Sequence, residues 1–466
     1  MCQDNHLRPG LRLLYLNRIM DAIIAQLSND PRIRAARRHI ERADDVTLAR
    51  QIELSALAAP TGAEATRAAR VAELFREAGL SDVGFDRAGN VLGWLVGDGG
   101  PGTGDGDDRA PVILSAHLDT VFGPEVDVRV ERRGARLRGP GISDNARGLT
   151  ALITVAEALA RERVGAQRAA PLLAHPILCA ATVGEEGSGN LRGARYLLDG
   201  DGAHGVGAQH AAPLHAPLHA PLHAPLHAPL HAPLPHAPLP RPAAFIALDG
   251  AGIERVVHRA LGSRRYRATY RGPGGHSWAA FGVANPAAAV GRAAAAVTDL
   301  PTPTDPRTTC AIVRLGGGTA LNSIPTEAWL ELDLRSETAA ALGDLDRAVS
   351  AALERARDAE NARRAHGTPA LELTVDLLGH RPPGRTAPEH PLVQAAVAAT
   401  RALGRECELA SASTDANAAI ALGIPAIALG AGGRGGDAHL PSEWYENTDG
   451  PLGVVRAMLV TVAVSR

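Results

Sequence analysis

Apolar positions along the chain follow two rhythms, a three-to-four-residue spacing and short unbroken runs, and their alternation predicts the architecture. Residues 45–80 carry the helical spacing, with Leu54, Leu57 and Ala58 followed by Ala68, Val71, Leu74 and Phe75, and Gly79 supplies the stop. Residues 83–85 and 90–95 frame Gly89 as a hairpin, and the Gly- and Asp-rich stretch 97–108 reads as an exposed, mobile loop. The run 111–116 reads as a buried strand leading straight into His117-Leu118-Asp119. A ribbon over 126–137, a tight turn over 139–145, a helix over 148–160 and an apolar run over 177–183 follow. Strand, turn, helix and strand repeat, so the fold expected is α/β with a mainly parallel sheet, whose ligand sites belong at strand ends.

From Arg264 the pattern changes to strand 265–270, helix 286–297, strands 308–315 and 327–334, helix 339–361 and strand 371–377. This β-α-β-β-α-β order is the split ferredoxin-like (α+β) arrangement, self-contained and read as an insertion. The first pattern resumes at His390, with a helix over 392–403, a strand over 424–429, a glycine-rich loop to Gly436 and a helix over 452–464. The expected domains are therefore 1–260 and 381–466, together one domain, with 261–380 inserted between its two parts. Residues 210–240 stand apart, because His-Ala-Pro-Leu recurs from His215, His219, His223, His227, His231 and His236. Proline at this spacing forbids a helix and predicts an exposed, largely disordered insert. A His-rich tract can bind metal, but repeat expansion in a tolerant loop accounts for it, and it is read as an insertion outside the active site.

With 466 residues, 45% of them hydrophobic, the chain can bury a core large enough for two domains. A net charge of -2 without long basic stretches argues against nucleic acid, and a small peptide or similar molecule fits better. All 48 basic residues are arginine, which removes Schiff-base chemistry, phosphate-loop lysines and Ser-Lys dyads. Cys2, Cys179, Cys310 and Cys407 have no paired spacing, as expected of reduced core thiols in a cytoplasmic protein. The N-terminal stretch lacks the apolar run and cleavage site of a signal peptide, and Met20 opens a more ordinary helix pattern, so 1–19 reads as an extension. No stretch reaches the ~18 apolar residues of a membrane span.

Chemistry concentrates at strand ends. Glu185 and Glu186 lie between glycines after an apolar run; alternate sides of extended backbone let one face a metal and the other a water, although a solvated acidic turn has the same composition. His117 and Asp119 share a face at this spacing, which suits a ligand and its supporting carboxylate. Asp144 opens a helix, as a ligand or an N-cap would; Asp249 ends the run 244–248, and His439 follows the glycine-rich loop. His117, Asp144, Glu186, Asp249 and His439 are one carboxylate short of two separate sites, so Asp144 would bridge, and nitrogen and oxygen donors without thiolate suit Zn²⁺, with Co²⁺ or Mn²⁺ as substitutes.

The segments Ser-Ala-His117-Leu-Asp119-Thr, Gly-Ile-Ser-Asp144-Asn-Ala-Arg-Gly-Leu, Gly-Glu185-Glu186-Gly, Leu-Asp249-Gly, Gly-Pro-Gly-Gly-His276-Ser-Trp, Asn322-Ser-Ile-Pro, Asp333-Leu-Arg335 and Ser-Thr-Asp-Ala-Asn at 413–417 resemble the M20 metallopeptidases. That family includes tripeptidases, glutamate carboxypeptidases, aminoacylases and amino-acid deacylases, and the likeness runs from about residue 50 to the end, omitting the repeats. It implies two zinc ions per subunit, one on His117 and Asp249, the other on Glu186 and His439, bridged by Asp144. It further implies Asp119 orienting His117, Glu185 as general base, His276 and Asn322 holding substrate or the developing oxyanion, and Arg335 pairing a substrate carboxylate. Asp249 is similar to the residue of the tripeptidase and glutamate-carboxypeptidase branch. The expected activity is zinc-dependent hydrolysis of an amide in a small peptide by a homodimer, and the likeness implies a catalytic domain formed by 1–260 and 381–466, a dimerisation domain over 261–380 and His276 reaching the partner's site. Deacylation of N-acyl amino acids and non-catalytic peptide binding stand as alternatives.

Overall fold

The computed structural model describes residues 9–95, 109–164, 172–200 and 239–466. The expected loop at 97–108, Cys2 and the repeats up to residue 238 lie outside them. The chain divides into two compact units, one comprising residues up to His258 and from Arg385 onward, the other Arg259–Gly384.

In the first unit a mixed sheet has four parallel strands at its centre, in the order Ile177–Thr182, Val112–His117, Ala244–Leu248 and Ala426–Leu429. Every residue of these strands is buried, as expected of strands covered on both faces. Val91–Leu95 and Ser81–Phe85 extend one side antiparallel, so the hairpin around Gly89 forms. The helices Pro9–Asn29, Ala146–Val164, Pro391–Ala402 and Gly450–Val464 pack together beside the sheet, and their apolar faces share one core with it.

The helical stretch expected over 45–80 is two helices, Asp44–Ser55 and Ala65–Glu77, parted where Pro60 bridges to Thr120 and Gly62 turns with φ +91°. The first helix begins at Pro9, well before Met20. The ribbon expected over 126–137 is confined to Glu131–Arg133 and Arg136–Arg138, and the latter pairs with Trp444–Glu446, about 300 residues away, to build a small separate sheet.

The second unit is a four-stranded antiparallel sheet in the order Thr308–Gly317, Glu327–Ser336, Gly262–Arg271, Glu372–Arg381. Helices Pro286–Thr298 and Ala339–Ala362 pack on the sheet through Ala289, Ala293, Leu345, Val349 and Leu353. Each helix starts on a capping side chain, Asn285 to the N–H of Ala287 and Thr338 to that of Ala341.

Candidate metal centre

The C-terminal ends of the central strands converge on one point. His117 closes its strand with the ring buried; Nδ1 lies 3.1 Å from the main-chain oxygen of Asp119, and Nε2 lies 3.0 Å from Asp144 Oδ1 and 3.9 Å from Asp249 Oδ1. On the far side of Asp144, His439 Nε2 is 3.2 Å from Oδ2 and 3.1 Å from Glu186 Oε1. Donor atoms of His117, Asp144 and Asp249 lie within 4.8 Å of one another, and so do those of Asp144, Glu186 and His439. Asp144 belongs to both groups. A third grouping of the same kind joins His117 to Glu185 and Glu186.

Asp119 is fully buried, but its carboxylate is 3.6 Å from His117 Nδ1, farther than its own main-chain oxygen. Its shorter contacts are the N–H groups of Glu185 (2.9 Å) and Glu186 (3.0 Å) and the Thr61 hydroxyl (2.8 Å). Asp119 therefore fixes the backbone of the Glu-Glu turn and reaches the imidazole chiefly through its carbonyl. Gly184 enters that turn at φ +63°, a conformation costly for any residue with a Cβ.

Asn145, rather than Asp144, caps the helix Ala146–Val164. Its Oδ1 accepts from Gly148 N and Gly250 N, while its Nδ2 donates to Leu248 O, tying the Asp144 turn to the strand that ends at Asp249. Glu443, fully buried, receives the N–H groups of Ser143 and Asp144 at 2.8 Å and of Gly141 at 2.9 Å. Burial, helped by the charge of Asp144, pushes its carboxyl up to about 7 despite those three donors. Three buried arginines complete the frame by donating to main-chain carbonyls: Arg67 to Leu118, Arg147 to Ala431 and Gly450, and Arg456 to Gly430 and Ile253. Burial holds Arg67 and Arg456 down to about 10. His439 adopts φ +68°, a strained backbone for a non-glycine residue. Sequence reasoning misses Asn145, Glu443 and these arginines, because their partners are distant in the chain.

The electrostatics describe a site short of positive charge. Burial, reinforced by Asp144, raises Asp249 to about 7. His439 is raised to about 10 by its hydrogen bonds to Asp144 and Glu186, and His117 also sits well above its ordinary value because its carboxylate neighbours outweigh burial. Without a cation, the site holds its carboxylates only by recruiting protons. With Nδ1 directed at a carbonyl, the Nε2 lone pair of a neutral His117 faces Asp144 and Asp249, a repulsive arrangement that a divalent cation between them relieves. The donors are imidazole and carboxylate, and Cys179 is in the core with its thiol pushed up to about 12 by burial, so the set fits a zinc-type cation without thiolate.

The remaining expected residues belong to the second unit. His276, exposed, pairs in a two-residue ribbon with Ser323, and its Nδ1 accepts from Trp278 N at 3.2 Å. Asn322 is exposed and its main-chain oxygen accepts from Ser277 N. Arg335 donates through Nε and Nη2 to Asp333 Oδ2, at 3.0 and 2.8 Å.

Residues 113–462 match the model of Peptidase family M20/M25/M40. The chain belongs to that family. Membership makes it a hydrolase of the peptidase and amidohydrolase class in a metal-dependent family. No match emerges among curated proteins. Among solved structures the fold is similar to a tripeptidase from Staphylococcus aureus (TM-score 0.62, 20% identity, covering 90% of this chain and 98% of that one). It is likewise similar to the aminopeptidase PepT from Bacillus cereus (0.60, 19%, 90% and 97%) and to human carnosine dipeptidase 1 (0.64, 13%, 93% and 98%). No helix among the described residues is long and apolar enough to cross a membrane.

Proposed function

We propose that this M20 peptidase hydrolyses the amide bond of a small peptide at a centre where His117, Asp144, Glu186, Asp249 and His439 would hold two zinc ions. The observation carrying this reading is the membership of Asp144 in two donor groups, with His117 and Asp249 on one side and Glu186 and His439 on the other. Cations held there supply Lewis-acid polarisation of the scissile carbonyl. Glu185, buried beside these donors, takes the proton from the attacking water and delivers it to the departing amine. Asp119 keeps Glu185 and Glu186 in register by holding both amide N–H groups. His276, Asn322 and Arg335 hold the substrate, Arg335 exchanging Asp333 for a substrate carboxylate.

Assembly as a cytoplasmic homodimer accompanies this reading. It is supported by the open edge of Thr308–Gly317, where Val313 and Leu315 are exposed, and by His276 standing ready to serve a partner's site. Sedimentation equilibrium giving a single-chain mass would remove it. The metal reading is tested by metal analysis alongside hydrolysis of di- and tripeptides before and after chelation. The expected result is about two zinc ions per chain, loss of activity and a lowered melting temperature on chelation, and recovery on adding zinc. Unchanged activity and melting after verified metal removal would refute it.

A further inference from the structure

A cavity of about 620 Å³ opens beside the candidate metal centre, lined entirely by residues of the first unit. Asp144 and Asp249 form part of its wall, and Arg255, Arg405, Arg434 and Trp444 are among the other lining residues. Three of its four carboxylates have charged neighbours or the metal centre to face, and the fourth, Glu254, accepts one main-chain N–H. Asp144 and Asp249 face the metal centre, Asp449 pairs with Arg405, and Glu254 Oε2 accepts from Ile253 N at 3.2 Å. The guanidinium groups of Arg255 and Arg434 have no hydrogen bond or ion pair among the described residues. Glu446 feels the charge of Arg434, but its carboxylate is taken by Arg136 and Thr448.

The sequence around Arg434 points the same way. It is the one side chain in Gly432-Gly433-Arg434-Gly435-Gly436. A Cβ on Gly435 would meet Ser143 Oγ at 2.5 Å, and one on Gly433 would meet the Tyr445 ring at 2.3 Å. Bare backbone is thus required on both sides, leaving Arg434 as the group this strand offers to the cavity. Two guanidinium forks with no partner among the described residues, on residues that line the cleft, match the geometry of a carboxylate.

We propose that this cavity receives an acidic side chain of the substrate, so that the preferred substrates are small peptides containing Asp or Glu. The inference rests on the amide hydrolysis proposed for the adjoining centre and adds its substrate class. The test compares kcat/KM of the zinc-loaded enzyme on Ala-Glu and Glu-Ala with the isosteric Ala-Gln and Gln-Ala, which share the terminal carboxylate. At least one acidic peptide should be preferred by roughly tenfold or more, and the Arg255→Gln/Arg434→Gln double variant should bring that ratio close to one. A ratio near one in the unaltered enzyme, or one the double variant does not move, overturns the proposal. The second result would assign the cavity to the terminal carboxylate or to no anion. Calorimetry with glutarate against glutaramide keeps the two readings separable if no peptide is cleaved. Glutarate binding lost in the double variant supports the cavity's role although the hydrolytic reading fails, and absent or equal binding in both proteins refutes it.

Discussion

The two units treat charge in opposite ways. In Arg259–Gly384 the ionic groups pair off locally: Arg264 and the Tyr266 hydroxyl on Asp346, Arg267 and Arg314 on Glu331, Arg271 on Glu327, Arg292 on Glu360. At the strand ends of the other unit, Asp119, Asp144, Glu185, Glu186 and Asp249 gather around His117 and His439. The first pattern is what a structural surface needs, since these charges have a counter-charge beside them. The second leaves an excess of carboxylates in a partly desolvated place, and such an arrangement persists when something absent from the polypeptide balances it. The location of function is therefore legible from where carboxylates outnumber the cationic groups beside them more than from how many charges there are.

The sharpest test of that contrast separates the two glutamates. Glu185→Ala is expected to keep its metal and lose activity by ~10²- to 10⁴-fold, the range for removing a positioned proton acceptor. Glu186→Ala is expected to lose metal occupancy, read by elemental analysis, because Glu186 is the carboxylate shared with His439. Equal metal loss in both variants would dissolve the division of labour and favour the alternative grouping of His117 with both glutamates.

Much of this centre was legible in sequence because short apolar runs are the signature of buried parallel strands, and His117, Glu185 and Asp249 stand where those runs stop. The second unit was legible because its strands and helices differ in period and its helices begin directly after the N-cap residues Asn285 and Thr338. What escaped has a common physical cause. Glu443 holds a turn about 300 residues upstream, Arg147 reaches the carbonyls of Ala431 and Gly450, and Arg136–Arg138 pairs with Trp444–Glu446; none of these leaves a periodic trace. The role expected of Asp119 was incomplete for a related reason. Spacing tells which face a side chain occupies, but its strongest partners are main-chain N–H groups contributed by another strand's turn.

Glu443 extends the contrast to a residue outside the donor groups. Glu443→Ala removes the acceptor for the buried N–H groups of Gly141, Ser143 and Asp144, and is expected to cost roughly 2–5 kcal/mol of stability and weaken metal affinity ~10- to 100-fold. Denaturant unfolding and competition with a chelator measure the two effects. In the second unit, Asp346→Ala strips Arg264 and Tyr266 of their shared partner and should cost about 1–2 kcal/mol with metal content untouched. Metal loss there would break the separation between structural and functional charge.

The smallest effect is expected from removing the His-Ala-Pro-Leu tract, although it ends close to Asp249 in sequence. The strand that delivers Asp249 is secured from both sides by parallel pairing, with Val112–His117 on one flank and Ala426–Leu429 on the other. Ala243 N already donates to Pro111 O before that strand begins, and Leu239 packs against a core cluster of the same unit. The anchoring of Asp249 is thus complete from Leu239 onward, and the deletion should span 211–238, sparing Leu239 and Pro240. Activity within a few-fold of the full chain, the same metal content and a melting temperature within about 2 °C are expected, since a Pro-rich repeat buries little apolar surface. Lost metal with an intact melting transition would instead make the six histidines of the tract a supply route for the centre, and the charge deficit at the strand ends would then be met partly by the insert.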